Sequence, residues 1–539
     1  MMVILAFIGL LWGALTIWRI RLLARFFQIE EYKSGRFLRW WTAKRERWLP
    51  TRLAGGALAG FVLAGVLLSL GVGIWPLHLA WWIAVGIALG WPEPAKEIKK
   101  RFVRTQRATR LLATAFTLAV VINMVPALLI KELEATNLEI LALVGLLSYG
   151  LAPLYLSLAN ILMYPVEETL RWGFRTKAKR RLEAAGPIVI GVTGSYGKTS
   201  TKEYIAHILN GRCKVLATPK SFNTVMGICI TINNDLDPNL GYQYFVVEMG
   251  AYIRGEIQRI CDLTHPQIGV VTAVGPQHLE RFGSVENIVE AKYELIRALP
   301  ADGVGVFNAD DPRVLGMAQR GYPQTRYQVS YADAPDARLV AKNVQHTLDG
   351  LSFEVVDQET QESRAFRTPL VGLHNVTNIL LAANVARHLG MSLAEIALRV
   401  ASLQPAEHRL KRTVLPNGIT VLDDAYNTNP VGAISALEVL SLHREGRRVL
   451  ITPGMVELGP LQAEENEKLG KAAPRYCTDI ILVGTEQAAP IQQGIHSTDF
   501  DLTRLQIMET VNEAIAWYQR ELKSGDAVLF LNDLSDNYL

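Results

Sequence analysis

The chain reads Ile188-Val-Ile-Gly-Val-Thr-Gly-Ser-Tyr-Gly-Lys-Thr-Ser-Thr-Lys202 where a short apolar run passes into a glycine-containing loop. A predicted strand, Ile188–Val192, leads into this loop, and a predicted helix, Thr199–Leu209, leads out of it. The backbone N–H groups of such a loop and the N-terminus of such a helix bind phosphate oxygens. Lys198 is placed to reach the β- and γ-phosphates of a nucleoside triphosphate, and the Thr199 hydroxyl is placed to ligate Mg²⁺. The segment therefore predicts a site for a triphosphate and a magnesium ion.

The match to the general phosphate-binding loop is partial. That pattern has four residues between its first glycine and Gly-Lys, whereas Gly191 lies one residue too far from Gly197. The chain fits Thr-Gly-x-x-Gly-Lys-Thr instead. A chance glycine turn before a helix is the alternative, and the strand–loop–helix order argues against it. The predicted phosphate-binding loop consists of Thr193, Gly194, Ser195, Tyr196, Gly197, Lys198, Thr199 and Ser200.

Strands alternate with helices throughout the part of the chain that contains this loop. Such alternation is typical of a parallel sheet with helices on both faces. We predict two α/β domains: a P-loop ATPase-type central domain that binds ATP, over residues 187–402, and a Rossmann-like C-terminal domain over 403–539. The other predicted strands are Phe245–Glu248, Ile268–Thr272 and Gly303–Asn308 in the central domain, and Thr420–Asp423, Val449–Pro453, Asp479–Val483 and Ala527–Leu531 in the C-terminal domain.

Apolar runs dominate the first part of the chain, and the whole chain has a positive mean hydropathy of +0.16. A helix that crosses a bilayer needs about 20 apolar residues. We predict a membrane region of about five transmembrane helices over residues 1–165, followed by a basic linker over 166–186. The first run has no basic region before it and no small-residue cleavage site after it, so it is interpreted as an anchor. The predicted spans are Met1–Trp18, Leu53–Val72, Ile74–Trp91, Leu111–Ile130 and Ile140–Met163.

Basic residues are unevenly distributed among the loops between these runs. Arg19–Arg52, Lys96–Arg110 and Arg171–Arg181 are rich in Lys and Arg, whereas Gly71–Leu77 has none and Lys131–Glu139 has one. The positive-inside rule places the three basic segments, and the α/β domains, in the cytoplasm. Topology and contact with lipid headgroups explain these charges, and the net charge is only +4, so no nucleic-acid partner is predicted. The four cysteines form no CxxC pair, which argues against a zinc site or a disulfide framework.

Three polar residues stand out among the elements of the central domain. Glu248 ends a predicted buried strand, where open α/β sheets bind ligands, although a lone carboxylate there is as often a capping or turn residue. His278 follows the next strand, but a lone histidine is usually structural. Lys292 lies on an amphipathic helix, where a solvated lysine is the default interpretation. The residues alone leave these alternatives open.

Taken together and in order, the motifs between about Pro187 and Pro453 resemble those of the Mur ligases, which add amino acids to the muramoyl peptide of cell-wall precursors. The ordered series is far more specific than any single motif. The matching segments are Thr-Gly-Ser-Tyr-Gly-Lys-Thr-Ser-Thr-Lys-Glu (193–203), Ser-Phe-Asn-Thr-Val-Met-Gly (221–227), Glu-Met-Gly-Ala (248–251) with Gly-Glu-Ile (255–257), His-Leu-Glu-Arg-Phe-Gly-Ser (278–284), Ala-Lys-Tyr-Glu (291–294), Asn-Ala-Asp-Asp (308–311), Gly-Leu-His-Asn-Val-Thr-Asn (372–378) and Asp-Asp-Ala-Tyr-Asn-Thr-Asn-Pro (423–430).

The resemblance implies a role for each matching residue. Thr199 and Glu248 would hold the Mg²⁺ that bridges the β- and γ-phosphates of ATP, and His278 would hold a second Mg²⁺. Lys292 matches a lysine that is N-carboxylated in this family and helps to build the second metal site. The implied catalytic residues are Lys198, His278, Lys292, Arg409 and Asp424. The implied nucleotide contacts outside the loop are Asn308, His374, Asn375, Asn378 and Arg409, and the implied substrate contacts are Asn223, Thr224, Tyr426, Asn427 and Asn429.

The implied reaction is an ATP-dependent, ADP-forming ligation of a carboxylate to an amine through an acyl-phosphate. Two Mg²⁺ ions, Lys198 and Arg409 would offset the repulsion between the carboxylate and the triphosphate. Asp424 and Asn427 would close over the phosphates when the C-terminal domain moves about a hinge near Leu403–Leu410, excluding water. The family implies a peptidoglycan-type precursor, an amine such as D-alanyl-D-alanine or another amino acid or dipeptide, and a bacterial-type plasma membrane.

Two regions depart from the family members that add D-alanyl-D-alanine. Residues 1–163 are predicted membrane helices, whereas those members begin with a soluble domain that binds the UDP-sugar. This difference suggests that the acceptor is lipid-linked and is presented at the cytoplasmic face of the bilayer. The segment Gly525–Leu539 ends in acidic residues where those members have Lys-Gly-Ser-Arg, so the sequence leaves the identity of the amine open.

Two alternative functions fit parts of the sequence. A membrane-bound synthase of poly-glutamate type is built on the same core, but it usually shows Thr-Arg-Gly-Lys-Ser in the loop, which Ser195–Thr199 does not match. An ATP-driven transporter or sensor would use the nucleotide only to change shape. Only His78, Asn123 and Asn160 stand out as polar groups in the apolar runs, and a transport path usually needs more.

Overall fold

The computed structural model divides into two units between Trp172 and Gly173. It describes residues 2–48, 50–71, 74–90, 102–130, 132, 134–332, 334–426 and 428–532. Several residues singled out in the sequence lie outside the described residues: Lys96, Lys99, Lys100 and Arg101, the implied substrate contact Asn427, and the acidic end of the chain at 533–539.

The first unit consists of helices, most of them apolar. An α-helix satisfies its own backbone hydrogen bonds, which an apolar run needs in a bilayer. Three of the helices, Val3–Ile29, Thr51–Ser69 and Gln106–Leu129, are long and apolar enough to cross a membrane. The helices of this part of the chain are α1 Met2–Ile29, α2 Ser34–Ala43, α3 Arg45–Trp48, α4 Thr51–Ser69, α5 Trp75–Gly90, α6 Gln106–Leu129, α7 Ala135–Gly150 and α8 Ala152–Ala185.

The two other predicted spans differ from the expectation. Helices α7 and α8 are bent by 68° at a short break, and together they count as at most one further span. Helix α5 has 16 residues. At 1.5 Å per residue it is about 24 Å long, which is less than a bilayer core of about 30 Å. By length and composition, the described residues therefore hold three potential spans, or four with the bent pair, and not the predicted five.

Glycines allow two close helix contacts in this unit. A Cβ atom at Gly145 on α7 would overlap the Trp12 ring of α1, and one at Gly60 on α4 would overlap Trp82 of α5. Both tryptophans are buried. Small residues that let helices approach closely are typical of packing in membranes, where the hydrophobic effect does not drive helices together.

Buried polar side chains of this unit are joined by hydrogen bonds. Asn123 Nδ2 on α6 donates to the Ser148 hydroxyl on α7 at 2.8 Å, and that hydroxyl lies 3.1 Å from Thr16 on α1 and 2.7 Å from the Tyr155 hydroxyl. A polar group in apolar surroundings is stable when it is paired in this way. The contacts explain Asn123 as a structural residue.

The other two polar residues noted in the apolar runs are also paired. His78 Nδ1 on α5 lies 2.7 Å from the carboxylate of Glu139 on α7. Asn160 Nδ2 on α8 donates to the backbone carbonyl of Tyr32 at 3.1 Å. Sequence analysis placed Glu139 at the end of the loop Lys131–Glu139, whereas in the structure it lies within the apolar helix α7.

The segment predicted as a basic linker, 166–186, is helical as far as Ala185. It is the second half of α8, and Gly186 ends the helix with a left-handed backbone (φ 60°). A glycine adopts that conformation without strain and commonly terminates helices. Ala178 and Leu182, near the end of α8, are buried in the core of the second unit.

The second unit begins with a nine-stranded sheet in the order β2-β3-β1-β4-β5-β6-β7-β8-β9. Strands β1 to β6 are parallel, as predicted. Strand β7 pairs with β6 in parallel, and β7, β8 and β9 then form an antiparallel meander. The strands are β1 Ile188–Thr193, β2 Val215–Ala217, β3 Tyr244–Glu248, β4 Ile268–Val271, β5 Val304–Asn308, β6 Thr325–Ser330, β7 Leu339–Thr347, β8 Gly350–Asp357 and β9 Glu362–Thr368.

Helices cover both faces of this sheet. Val189 lies in one buried cluster and its neighbour Ile190 in another, because successive side chains of a strand point to opposite faces. A parallel sheet buried in this way has nearly continuous apolar strands. The helices of this domain are α9 Lys198–Leu209, α10 Val225–Asp235, α11 Glu256–Thr264, α12 Leu279–Phe282, α13 Val285–Arg297, α14 Pro312–Ala318, α15 His374–His388 and α16 Leu393–Val400.

A second sheet of six strands forms the C-terminal domain, in the order β10-β11-β15-β12-β13-β14. All its pairs are parallel except that between β10 and β11, which is antiparallel. The predicted parallel core is therefore confirmed. The elements are β10 Lys411–Val414, β11 Thr420–Asp424, β12 Arg448–Thr452, β13 Asp479–Val483, β14 Leu505–Met508 and β15 Ala527–Leu531, with α17 Pro430–Ser441, α18 Gln462–Ala472, α19 Thr485–His496 and α20 Val511–Glu521.

Candidate active site

The predicted phosphate-binding loop lies between β1 and α9. Two of its glycines have backbone angles that favour glycine, with φ of 150° at Gly194 and 78° at Gly197. A Cβ atom at Gly194 would collide with the Thr272 hydroxyl, and one at Gly197 would lie 2.6 Å from Asn378 Oδ1. The loop therefore needs glycine at both positions, for conformation and for space.

Hydroxyl groups fix the shape of this loop through hydrogen bonds to backbone carbonyls. Thr193 Oγ1 donates to the carbonyl of Met249 at 2.9 Å, and Ser195 Oγ donates to the carbonyl of Gly275 at 3.0 Å. Thr272 Oγ1 donates to the carbonyl of Tyr196. The side chains of Thr193 and Ser195 are thus structural parts of the loop, and the Ser195 N–H is also used within the protein, since it donates to the carbonyl of Ala273 at 2.6 Å.

Lys198 folds back over the loop. Its ammonium donates to the carbonyls of Gly194 and Ser195 at 2.7 and 2.9 Å. Burial, against the opposing charge of Glu248 and together with the charge of Arg409, lowers the pKa of Lys198 to about 8. With a pKa of about 8 the side chain is mostly cationic at neutral pH, as a phosphate ligand must be. Thr199 follows it, half-buried in the first turn of α9.

Glu248 ends β3 and is 1% exposed. One carboxylate oxygen accepts a hydrogen bond from Asn223 Nδ2 at 3.0 Å. The other, Oε2, lies 3.7 Å from the ammonium of Lys202 and has no hydrogen-bond partner within the described part of the chain. A buried carboxylate oxygen without a hydrogen bond is costly unless a cation binds it. The capping alternative for Glu248 is therefore not what the structure shows.

Lys202 is a buried structural lysine. Its ammonium donates to the carbonyls of Thr218 and Lys220 at 2.6 and 2.8 Å, so these contacts anchor the chain beside Glu248. Thr224, an implied substrate contact, caps α10 by accepting a hydrogen bond from Gly227 N at 3.3 Å. Asn223, the other implied contact on this segment, positions the Glu248 carboxylate.

His278 follows β4 and begins the short helix α12. Its backbone is left-handed (φ 57°), and its ring packs edge-on against Tyr252, with centroids 4.6 Å apart. The Nδ1 atom makes a short hydrogen bond with the carboxylate of Glu457 in the C-terminal domain. Burial lowers the pKa of His278, and the Glu457 carboxylate opposes that shift. The histidine is therefore held by two residues that sequence analysis missed.

Lys292 lies on α13 and is 3% exposed. Burial lowers its pKa well below the ordinary value, and the charge of Lys198 lowers it further. Its ammonium lies 5.6 Å from the centre of the Phe282 ring. The default interpretation, a solvated lysine, is wrong, because the side chain is buried and its neutral form is favoured.

The charged groups lie close enough to act on one another. Lys198 and Lys292 both lower the pKa of His278, Glu248 raises the pKa of both lysines, and Arg409 lowers that of Lys198. The structure therefore brings these five predicted residues together at the rim of the sheet.

The donors in this cluster fit a magnesium ion. Mg²⁺ prefers oxygen ligands and usually keeps several waters alongside one or two protein carboxylates and substrate phosphates. Within the described ranges there is no group of three His, Cys, Asp or Glu residues that could hold a metal ion by itself. Glu248 Oε2 and the Thr199 hydroxyl supply hard oxygens, so a cation here would take its remaining ligands from water and phosphate.

The three asparagines among the implied nucleotide contacts make hydrogen bonds within the central domain. Asn375 Oδ1 accepts a hydrogen bond from the Tyr204 hydroxyl at 2.8 Å, and its Nδ2 donates to the carbonyl of Val371. It is a buried structural residue. Asn378 Oδ1 accepts from Thr201 at 3.2 Å and lies against Gly197, so it supports the loop. Asn308, at the end of β5, accepts from the backbone N–H of Asp310 at 3.0 Å.

His374 lines a cavity between the central and C-terminal domains. Its Nδ1 lies 2.9 Å from the Ser435 hydroxyl of α17, and burial lowers its pKa to about 4, so the ring is neutral. The cavity has a volume of about 530 Å³, within the range of small-molecule sites. Its lining includes Tyr331, Leu373, His374, Ile434, Ser435 and Met455. Tyr331 was missed, although its place just after a strand of the parallel sheet is a signal for ligand contact.

The C-terminal domain brings Arg409 and Asp424 to the cluster. The Arg409 guanidinium stacks 4.7 Å from the centre of the Tyr426 ring and donates to the Tyr426 carbonyl at 3.1 Å. Asp424 accepts from Leu410 N at 3.1 Å. Burial raises the pKa of Asp424 to about 6, and Arg409 opposes the shift. Asn429 caps α17 by accepting from Gly432 N at 2.9 Å, so its side chain is a helix cap.

Comparison with known families agrees with this geometry. The model of the Mur ligase middle domain matches residues 192–386, and that of the Mur ligase, glutamate ligase domain matches residues 408–532. The chain belongs to the Mur ligase family. It is therefore an ATP-dependent amide ligase, and the family uses ATP and Mg²⁺. The sequence-based assignment of family and enzyme class is confirmed.

Named relatives of this Mur ligase cover about two thirds of the chain. A UDP-N-acetylmuramoyl-tripeptide–D-alanyl-D-alanine ligase of Mycobacterium tuberculosis is 33% identical over 375 residues, which cover 66% of this chain and 72% of the relative. A crystal structure of MurF from Acinetobacter baumannii superposes with a TM-score of 0.59 at 26% identity, covering 68% of this chain and 77% of that one. MurF from Thermotoga maritima in complex with ADP gives a TM-score of 0.58 at 26% identity, with 67% and 80% covered.

Proposed function

We propose that this Mur ligase joins D-alanyl-D-alanine, or a closely similar amine, to the carboxylate of a peptidoglycan-type precursor through an acyl-phosphate. The observation that carries the proposal is the cluster of Lys198, Glu248, His278, Lys292 and Arg409, whose charges act on one another at the end of the parallel strands. Relatives that carry the D-alanyl-D-alanine ligase name, at 33% identity, support the choice of amine.

The side chains of this cluster offset the repulsion between the reacting anions. Lys198, held over the loop, and Arg409, held on Tyr426, supply positive charge to the triphosphate. Thr199 and Glu248 would hold one Mg²⁺, and His278 with Lys292 would help to hold a second. Bound there, these ions neutralise the charge that develops during phosphoryl transfer. The Oε2 atom of Glu248, which has no hydrogen-bond partner in the described part of the chain, supports the first of these sites.

We also propose that Lys292 is N-carboxylated, and its surroundings support this. An amine reacts with carbon dioxide in its neutral form, and burial with the nearby Lys198 charge favours that form. The new N–C bond forms with loss of one N–H proton to water, and the product, a carbamate anion, would be stabilised by the same cations that disfavour a lysine ammonium. Its oxygens are hard ligands, which suits Mg²⁺.

The two domains together protect the acyl-phosphate from water. Leu403 and Leu410, at the two ends of the segment between the domains, are both buried. Asp424 lies at the end of β11 beside that segment and contacts Leu410 N. A turn about the exposed residues between the two leucines would close Asp424 and Arg409 over the phosphates. The cavity that His374 lines is large enough for the base and ribose of the nucleotide.

A substrate panel tests this function. The purified full-length protein is incubated with ATP, Mg²⁺, a peptidoglycan-type precursor and one amine at a time, and the amide product is detected by mass. We expect ADP and phosphate to be released only when both the carboxylate and the amine are present. If ADP and phosphate were released at the same rate with ATP alone, the protein would not be a ligase. A transporter or sensor that uses ATP to change shape would then be favoured.

We further propose that the first unit anchors the enzyme in a membrane as a multi-pass helical region, with the ligase domains in the cytoplasm. Three helices of sufficient length support it, as do the large apolar side chains they expose, among them Val3, Leu58 and Leu129. Exposed apolar surface of this extent is unfavourable in water. Alkaline extraction of cell membranes should leave the protein in the pellet, and release into the supernatant would refute the anchor.

A membrane anchor suggests a lipid-linked acceptor at the cytoplasmic surface. An anchored ligase would find such an acceptor in the plane of the bilayer, where both are concentrated. With the full-length protein in lipid nanodiscs, we expect kcat/KM to be higher for a lipid-linked precursor than for the UDP-linked muramoyl-tripeptide. Equal kcat/KM values for the two precursors would contradict the proposal of a lipid-linked acceptor.

A further inference from the structure

A loop of the C-terminal domain touches the candidate metal residue His278. The loop follows β12 and contains Glu457, whose carboxylate makes the short hydrogen bond with His278 Nδ1. Another nearby side chain, Arg281 on α12, has its guanidinium 3.8 Å from the same carboxylate and 4.1 Å from the centre of the Tyr252 ring. Glu457 therefore contacts a group of central-domain side chains that consists of His278, Arg281 and Tyr252.

The backbones of the two loops also meet. A Cβ atom at Gly459 would lie 3.2 Å from the backbone nitrogen of Glu280, so glycine at this position allows the close approach. Leu461, two residues further on, packs against the buried core of the central domain. The contact between Glu457 and His278 is thus part of a packed interface between the two domains.

The loop that carries Glu457 is held rigidly on its own domain. Asn466 of α18 accepts a hydrogen bond from Met455 N and donates to the Met455 carbonyl, both at 2.8 Å. Asn532, after β15, donates to the carbonyl of Gly454 at 2.6 Å. Glu457 itself has a left-handed backbone (φ 63°), which few residues other than glycine adopt without support. The domain therefore presents this carboxylate in a fixed position.

We infer that Glu457 is a positioning residue that couples the arrangement of the two domains to the orientation of His278. A histidine that binds a metal through one ring nitrogen usually donates its other N–H to a carboxylate, which fixes the tautomer and the plane of the ring. Because Glu457 engages Nδ1, the other nitrogen, Nε2, is the one left to a metal ion. The C-terminal domain would then complete the second metal site without supplying a metal ligand. The inference rests on the proposed function and adds to it the residue that orients the ligand.

Two variants of Glu457 and one matched control test this inference in the full-length protein. Glu457→Ala removes the contact, and Glu457→Gln keeps an oxygen that can accept a hydrogen bond from Nδ1. Glu467→Ala is the control, because Glu467 is a glutamate of the same domain that pairs with Lys471 at 2.6 Å on the surface of α18. Each protein is assayed over a range of Mg²⁺ concentrations, and hydrogen–deuterium exchange is measured without substrate.

We expect Glu457→Ala to raise the Mg²⁺ concentration needed for half-maximal activity by about ten- to a hundredfold, the usual cost of losing such a partner. The KM for ATP should change less than threefold, and Glu457→Gln should recover part of the loss. Exchange should accelerate at residues 276–283 and 454–461 in Glu457→Ala. The control should match the wild type in both measurements.

The inference fails if Glu457→Ala matches Glu467→Ala in its Mg²⁺ requirement or in exchange at residues 276–283. It also fails if Glu457→Gln loses as much as Glu457→Ala, because the role would then not be that of a hydrogen-bond acceptor. A wild-type protein that forms no amide would refute the proposed function instead. The exchange measurement would still decide whether Glu457 orders the His278 loop.

Discussion

The two α/β domains contribute to the site in different ways. The central domain holds its charged groups by contacts within the domain. Lys198 donates to two loop carbonyls, Glu248 accepts from Asn223, and Lys292 is buried on a helix. The C-terminal domain contributes Arg409 to the same site, and this side chain is half-exposed and stacked on Tyr426. One half of the site is preorganised by the fold of a single domain, and the other half depends on how two domains meet.

The charges of the preorganised half explain why it needs ligands. Lys198 and Lys292 lie near each other with Glu248 as a nearby counter-charge, and burial lowers the pKa of both lysines. Placing cations close together away from water costs free energy, which a bound polyanion recovers. Preorganised charge of this kind is an effective form of transition-state stabilisation, because no reorganisation is needed during the reaction.

The largest effect is expected at Lys198, the centre of the preorganised half. Lys198→Met removes the charge over the loop and both of its hydrogen bonds, so ADP release should fall by about a thousandfold. ATP should also no longer raise the melting temperature. Lys214→Met, at an exposed lysine of the same domain, is the control and should behave like the wild type. A loss below tenfold in Lys198→Met would show that the loop lysine is not the main phosphate ligand.

A smaller loss is expected at Lys292. Arginine carries a positive charge and cannot form a carbamate at a physiological pH, because its guanidinium stays protonated. Lys292→Arg should lower kcat by about a hundredfold, a loss typical of removing one group that acts in the transition state. Added bicarbonate should raise the activity of the wild type and leave that of the variant unchanged. Equal responses to bicarbonate would contradict N-carboxylation.

The central domain could be predicted well from sequence because its signals are local. The loop, the strand before it and the helix after it are contiguous, and the observed β1 and α9 differ from the prediction by one residue each. The antiparallel strands β7 to β9 were not predicted. Along β8 buried residues alternate with half-buried ones, a pattern of period two that is weaker than the continuous apolar runs of a parallel core.

The contacts between domains could not be predicted, because they join residues far apart in the chain. Glu457 lies 179 residues from His278, and no local pattern links them. Its place after a strand of a parallel sheet, in Pro453-Gly-Met-Val-Glu457, was the available signal. Sequence also assigned substrate contacts to Thr224 and Asn429, whose side chains cap helices in the structure. A motif preserves a residue without revealing whether it acts on a ligand or on the backbone.

The pH dependence sharpens the comparison from the side of the C-terminal domain. The pKa of Asp424 is raised to about 6 by burial, so its carboxylate becomes protonated as the pH falls through that value. If the ionised form positions Arg409, kcat/KM should fall below about pH 6. Asp424→Asn should lower activity by about ten- to a hundredfold and remove this acid limb. If kcat/KM fell in the same way at acid pH in the variant, the fall would be caused by the titration of another group and not of Asp424.

The smallest effect is expected at Asn223, which tests whether the central domain owes its preorganisation to such supporting bonds. Asn223→Ala removes the hydrogen bond to Glu248 Oε1. The buried carboxylate then keeps its contact with the Lys202 ammonium, which lies 3.7 Å from Oε2. The Mg²⁺ requirement should rise about tenfold, the lower end of the cost of losing a ligand's hydrogen-bond partner, while the KM for the amine stays within twofold. Asn210→Ala is the matched control, because Asn210 is an exposed asparagine of the same domain that accepts a single hydrogen bond from Val215 N. If Asn223→Ala instead raised the KM for the amine and left the Mg²⁺ requirement unchanged, Asn223 would be a substrate contact, and the carboxylate would be positioned by the strand alone.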